Sequence, residues 1–163
     1  MDHTHHGHHP SGLGQPGRTE SLNHTALIAT LHCLAGCAIG EIAGLFIGTA
    51  LGWSNVSTIA LAVGLAFASG FALTAVPFLR RGYTLVAAMR IALAADAASI
   101  TIMEIVDNAL MLAIPGAMDA AVDSFHFWAS MAFSLAVAGV AAYPVNRWLI
   151  ARGQGHAIAH AHH

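Results

Sequence analysis

The sequence predicts an all-α integral membrane protein, a four-helix antiparallel bundle with disordered His-rich ends. Composition is the first reason. The 163 residues are 56% hydrophobic and only 9% charged, with mean hydropathy +0.65, whereas soluble domains average about 25% charged residues. Second, four apolar segments, about 25–50, 56–79, 84–113 and 124–150, each reach the ~20 residues that a spanning helix needs. Third, the linkers between them are short, at Gly52 to Asn55, Arg80 to Tyr83 and Pro115 to Asp123. Short linkers force consecutive helices into antiparallel neighbours. The same composition excludes other classes. No basic patch with interleaved aromatics marks a nucleic-acid surface, and two cysteines, Cys33 and Cys37, do not make a disulfide framework. Their i, i+4 spacing on one helix also makes a mutual disulfide awkward.

Residues 1–23 are rich in His, Gly, Pro and Ser, carry no apolar periodicity, and are expected to be a flexible tail. They lack the basic region, short apolar core and cleavage site of a secretory signal, so the first apolar segment is expected to remain as a spanning helix. Five of the first nine residues are His, and the end of the chain, residues 153–163, repeats the theme in HAIAHAHH. Natural metal buffering and an expression tag both fit that composition.

The first helix carries Gly36, Gly40, Gly44 and Gly48 at every fourth position. Small residues at that spacing let backbones approach in lipid, and His32 extends the stripe. Cys33, Cys37 and Glu41 form the adjacent stripe at the same spacing, facing the bundle rather than lipid. The second helix has no ionisable group before its terminal Arg80. It reads as scaffold, with Gly64, Ala68 and Gly70 suited to packing and Pro77 bending or ending it.

The third helix is the most polar. Asp96, Glu104, Asp107 and Met111 lie on one broad face, beside Met103, Asn108 and Arg90. The fourth opens with aromatics suited to the interfacial belt, Phe125, Phe127 and Trp128, and carries His126, Met131 and Ser134. There is no lysine, and Arg18, Arg80, Arg81, Arg147 and Arg152 all fall on one side of the four-span arrangement. The positive-inside rule makes that side, with both termini, cytoplasmic.

Helical rise then orders the polar residues by depth. Glu41, Glu104, Asp107 and His126 fall in one outer layer, Cys37 just beneath, and Cys33, His32 and Asp96 deeper. Met103, Met131 and Asn108 flank them. Isolated free cysteines and methionines are ordinarily packing residues, but intramembrane carboxylates default to function. Carboxylate, imidazole, thiolate and thioether together form a ligand set for a first-row transition metal. Copper fits foremost because thiolate and thioether favour Cu(I); zinc and iron are the alternatives. Several carboxylates in a low dielectric cannot all ionise without cationic charge.

The runs HCxxGCxxGE (His32, Cys33, Gly36, Cys37, Gly40, Glu41), MExxDN (Met103 to Asn108) and FHFWxSM (Phe125 to Met131) resemble a family of small bacterial membrane proteins of unknown function. Some members are described beside, or fused to, multicopper-oxidase domains. The resemblance covers about residues 20–153. It implies a four-helix membrane domain in the bacterial inner membrane, and copper handling with a copper-oxidase or other metal-handling partner.

Three functions are compatible with these residues. The first is a membrane protein that binds a transition metal, copper foremost, for transport, delivery or homeostasis. The second is a membrane metalloenzyme with a carboxylate and His redox site, although Glu104-x-x-Asp107 replaces the Glu-x-x-His pattern of di-iron bundles. The third is a small structural or proton-conducting subunit of a larger complex. A homo-oligomer is compatible with each, given the glycine face.

Overall fold

The computed structural model describes residues 16–152, with side chains described from Ser21 onward. Four helices follow one another: α1 (Pro16–Ala50), α2 (Asn55–Arg80), α3 (Leu85–Ala113) and α4 (Phe125–Ala151). The boundaries of α2, α3 and α4 fall within a residue of those read from hydropathy. Helix α1 begins earlier than expected, so residues 16–23, assigned to the flexible tail, form its first two turns. Proline is pre-organised for a first helical position, and the extension is tied down by Arg147 of α4, whose Nε donates to Asn23 Oδ1 at 2.7 Å. The terminal His clusters, in residues 1–15 and 153–163, lie outside the described residues.

The turns follow from local chemistry. Ser54, Thr84 and Ser124 each accept, through the side-chain oxygen, the backbone N–H three residues on, an N-cap worth about 1 kcal/mol. Helices α1 and α2 both end on a glycine with positive φ, Gly52 (65°) and Gly82 (87°). In each case the next amide reaches back five residues, Trp53 N to Gly48 O and Tyr83 N to Phe78 O, the Schellman closure. The rings of Phe78 and Tyr83 stack edge-on at 5.5 Å across the second of these. Helix α3 stops before Pro115, which disfavours helix in the residue preceding it.

All four helices are long and apolar enough to cross a bilayer, and this is a multi-pass membrane protein. It is apolar outside, with Leu31, Ile39, Phe46, Ile105, Phe133 and Val140 among its exposed side chains, and polar inside, where Glu41, Asp96, Glu104, Asp107 and Asn146 are buried. The helices pack in circular order, and α1 also touches α3 across the bundle. The arginine-bearing helix ends Arg80 and Arg152 lie at one end; the turns at Gly52 and at Pro115 lie at the other.

The α1/α2 contact is the tightest. A Cβ added at Gly36 would sit 2.6 Å from Gly70 Cα, one at Gly40 would run into the Leu65–Ala66 backbone, and one at Gly44 would meet Ala62. Gly48 stands against the Thr58 side chain in the same way. The partner stripe on α2 is therefore Thr58, Ala62, Ala66, Gly70 and Thr74, every fourth residue, and Ser69 Oγ adds a 2.6 Å hydrogen bond to Gly36 O. Gly64 and Ala68, expected to serve packing, are exposed. They lie off the four-residue stripe that meets α1.

Candidate functional site

The stripe beside the glycines positions the chemistry. Because α1 and α3 run in the same direction, Cys33, Cys37 and Glu41, one turn apart on α1, meet in order Asp96, Glu104 and Asp107, eight and then three residues apart on α3. Near the arginine end, Cys33 Sγ donates to Asp96 Oδ1 at 3.5 Å. His32 Nε2 lies 3.2 Å from Thr74 Oγ1, and Thr74 and His32 both neighbour the Asp96 carboxyl. One turn along, the Cys37 thiol lies beside the Glu104 carboxyl. A turn further, Glu41 faces Asp107, carboxyl to carboxyl, with Glu104 also near. Three α1/α3 pairs are thus stacked along one column: Cys33 with Asp96, Cys37 with Glu104, and Glu41 with Asp107.

The column is buried and incompletely satisfied. Both thiols are free and buried, and Glu41, Glu104 and Asp107 are each at least nine-tenths buried. Ser134 Oγ donates to Asp107 Oδ1 at 2.6 Å, and Asn108 Nδ2 reaches the Glu104 backbone oxygen at 2.9 Å and its Oε2 at 3.5 Å. Neither oxygen of Glu41 has a hydrogen-bond donor, nor has Glu104 Oε1. A carboxyl pair of which one member lacks any donor, in a low dielectric, is closed by a shared proton or by a cation. Arg90 is exposed and does not supply that charge.

Most of the residues singled out by sequence are brought together, and one is not placed as expected. His126, expected in the acid layer, is exposed at the start of α4, with Nε2 3.1 Å from Pro115 O. The cause is local: Ser124 caps the helix, so residue 126 belongs to a first turn held against the Pro115 loop. Met103, expected to flank the acids, is wholly buried in the core with Cys33, Cys37 and Ile100. Met131 does flank them, lining a cavity with Glu41, Asp107 and Asn108. Among the described residues, no three His, Cys, Asp or Glu side chains converge on a common point for a metal ion. The column is a succession of two-donor rungs rather than a closed cage.

Residues 23–155 match the family described as Domain of unknown function (DUF4396). The chain belongs to the DUF4396 family. No curated protein and no solved structure matches it. The DUF4396 match takes in α1 from Asn23 onward and the other three helices, so the whole column lies within it.

Sequence reasoning missed Thr74, Ser99 and Met118. Thr74 continues the four-residue stripe of α2 and is legible once that stripe is aligned with His32 and the glycines. Ser99, fully buried, neighbours the Cys33 thiol. Met118 lines the acid cavity from the loop after Pro115, where no helical period marks it.

Proposed function

We propose that this DUF4396 protein binds a transition-metal ion, copper foremost, within its helix bundle and passes it along the column, for metal transport, delivery or homeostasis. The observation that carries the reading is the stack of three α1/α3 pairs. Each rung offers two donors, carboxylate with carboxylate at Glu41 and Asp107, and thiol with carboxylate deeper in. Oxygen, then sulfur, is a graded ligand series for a first-row ion. Two donors per rung suit transit, since binding at each station must be weak enough to leave. The cation would supply the charge that Glu41 and Glu104 otherwise lack.

Purified protein is the test, with metal content measured by mass spectrometry after loading with copper and dialysis. Bound copper falls in Glu41→Gln and in Cys37→Ala relative to the unsubstituted chain. Equal copper in all three sinks the reading. Metal binding at these rungs also weakens in acid, because carboxylate and thiol ligands must lose protons to bind.

The absence of three converging ligands among the described residues favours one second reading, a proton-conducting subunit in which the acids and thiols relay protons. Reconstituted vesicles separate the two: a pH gradient dissipated without added metal, and abolished in Glu41→Gln, favours the proton path.

The arginine distribution supports an orientation with both termini cytoplasmic, in a bacterial inner membrane. In that orientation the acids lie in the outer half and the thiols in the inner half. A homo-oligomer and a copper-oxidase or other metal-handling partner belong to the same proposal.

A further inference from the structure

We propose that the outer end of the column is a thioether-lined entry site for a soft monovalent cation, Cu(I) rather than a divalent ion, built by Met111, Met118 and Met131 above Glu41 and Asp107. The inference rests on the metal reading of the column and specifies which ion that reading admits.

Three elements converge here: Met111 on α3, Met131 on α4, and Met118 from the intervening loop. They share one packed cluster and line one cavity of about 30 Å³. That is room for a water-sized body, and a single bare ion fits it. A second hollow of about 280 Å³, lined by Gly52, Trp53, Asn55 and Val122 of the turns, also touches Met111 and Met118. These two methionines therefore form the neck between the loop end of the bundle and the acids.

Methionine often fills irregular core gaps, and leucine would fill this one as well. The floor makes the difference. Glu41 is only 4% exposed, lines the cavity, and has no donor to either oxygen. Among the described residues, no imidazole lines the cavity. Thioethers are neutral and soft, and select Cu(I), whereas divalent zinc or manganese takes imidazole and oxygen ligands. A single positive charge is matched by one ionised carboxylate of the Glu41 and Asp107 pair. The ion enters and leaves as Cu(I), so no oxidant or reductant is involved.

Silver(I), a soft monovalent ion that does not change oxidation state under these conditions, is the probe. The full-length protein and the M111L/M118L/M131L variant are dialysed against silver nitrate without chloride at about pH 7, where the carboxylate ligands can lose their protons to the metal. Both chains carry the same terminal His clusters and the same two cysteines, so the difference between them reports the methionines. Thioethers do not titrate. The unsubstituted chain is expected to retain about one silver ion more than the variant, as one site of this set requires. Zinc retained at neutral pH is expected to be equal in both. Peptide-resolved mass spectrometry is expected to show all three methionines protected from peroxide by silver. Replacing Met by Leu conserves volume and usually costs less than about 1.5 kcal/mol per site; the peroxide measurement needs no variant and decides the matter if the triple variant fails to fold.

Equal silver in the two chains, methionines oxidised at the same rate with and without silver, or zinc falling in parallel with silver each overturn the entry site. If silver is equal in those two chains but lost in Glu41→Gln, the thioether inference fails and the column reading survives. If silver is unchanged in Glu41→Gln as well, both fail.

Discussion

Two stripes on α1 have the same four-residue spacing and opposite consequences. Gly36, Gly40, Gly44 and Gly48 meet α2 backbone to backbone, leaving no space for even a methyl group at the first three. Cys33, Cys37 and Glu41 lie one position along and face α3, where the contact is made by polar side chains, among them Glu41 with no donor to either carboxyl oxygen. The first stripe secures packing where lipid offers no hydrophobic drive between helices. The second uses that rigidity to hold costly groups in register. Periodicity alone does not distinguish a structural stripe from a chemical one; what each stripe meets across the interface does.

Substitutions that break one stripe and spare the other sharpen this contrast. The largest effect is expected for Gly40→Leu, whose side chain would enter the Ala66 backbone. Overpacking of this kind destabilises by about 3 kcal/mol or more where backbone must move, so size-exclusion profiles in detergent should show little folded protein. Glu41→Gln belongs to the other stripe and should behave in the opposite way. Copper binding is expected to fall at least about tenfold, equivalent to about 1.4 kcal/mol, while the melting temperature holds or rises, because a buried carboxylate without a donor is removed. A melting temperature collapsing with binding would mean that the two stripes are not separable.

Ser134→Ala removes the donor to Asp107 Oδ1 and should lower stability by about 1 kcal/mol, read as a modest shift in thermal unfolding, with metal binding changed less than by Glu41→Gln. The smallest effect is expected for Gly64→Ala. No atom lies within 4 Å of the added methyl group, and alanine is favoured over glycine inside a helix by about 0.5–1 kcal/mol. Unchanged or slightly raised thermal stability there, beside the failure of Gly40→Leu, would locate the packing requirement in the stripe rather than in glycine itself.

Much of the fold is legible in the order of the residues. Hydropathy marks four spans, and the turn residues mark their ends, because Ser54, Thr84 and Ser124 cap helices and Pro115 stops one. Rise per residue sets Glu41 level with Glu104 and Asp107. His126 escapes the same reasoning because it sits at a helix start, where the loop geometry decides direction. Met118 escapes it because a loop residue has no period to read.

What the sequence determined by itself is therefore local and periodic: helix lengths, caps, the two stripes and the depth of each acid, all set by interactions within a few residues. Tertiary structure alone decided which stripe meets which helix. The Gly40 approach to Ala66 fixes the rotation of α1 about its axis, and that rotation brings Glu41 onto Asp107 and the thiols onto Asp96 and Glu104. The folded return of the Pro115 loop brings Met118 over the acids. Both are long-range contacts, and no spacing along the chain encodes the distance between side chains on separate elements.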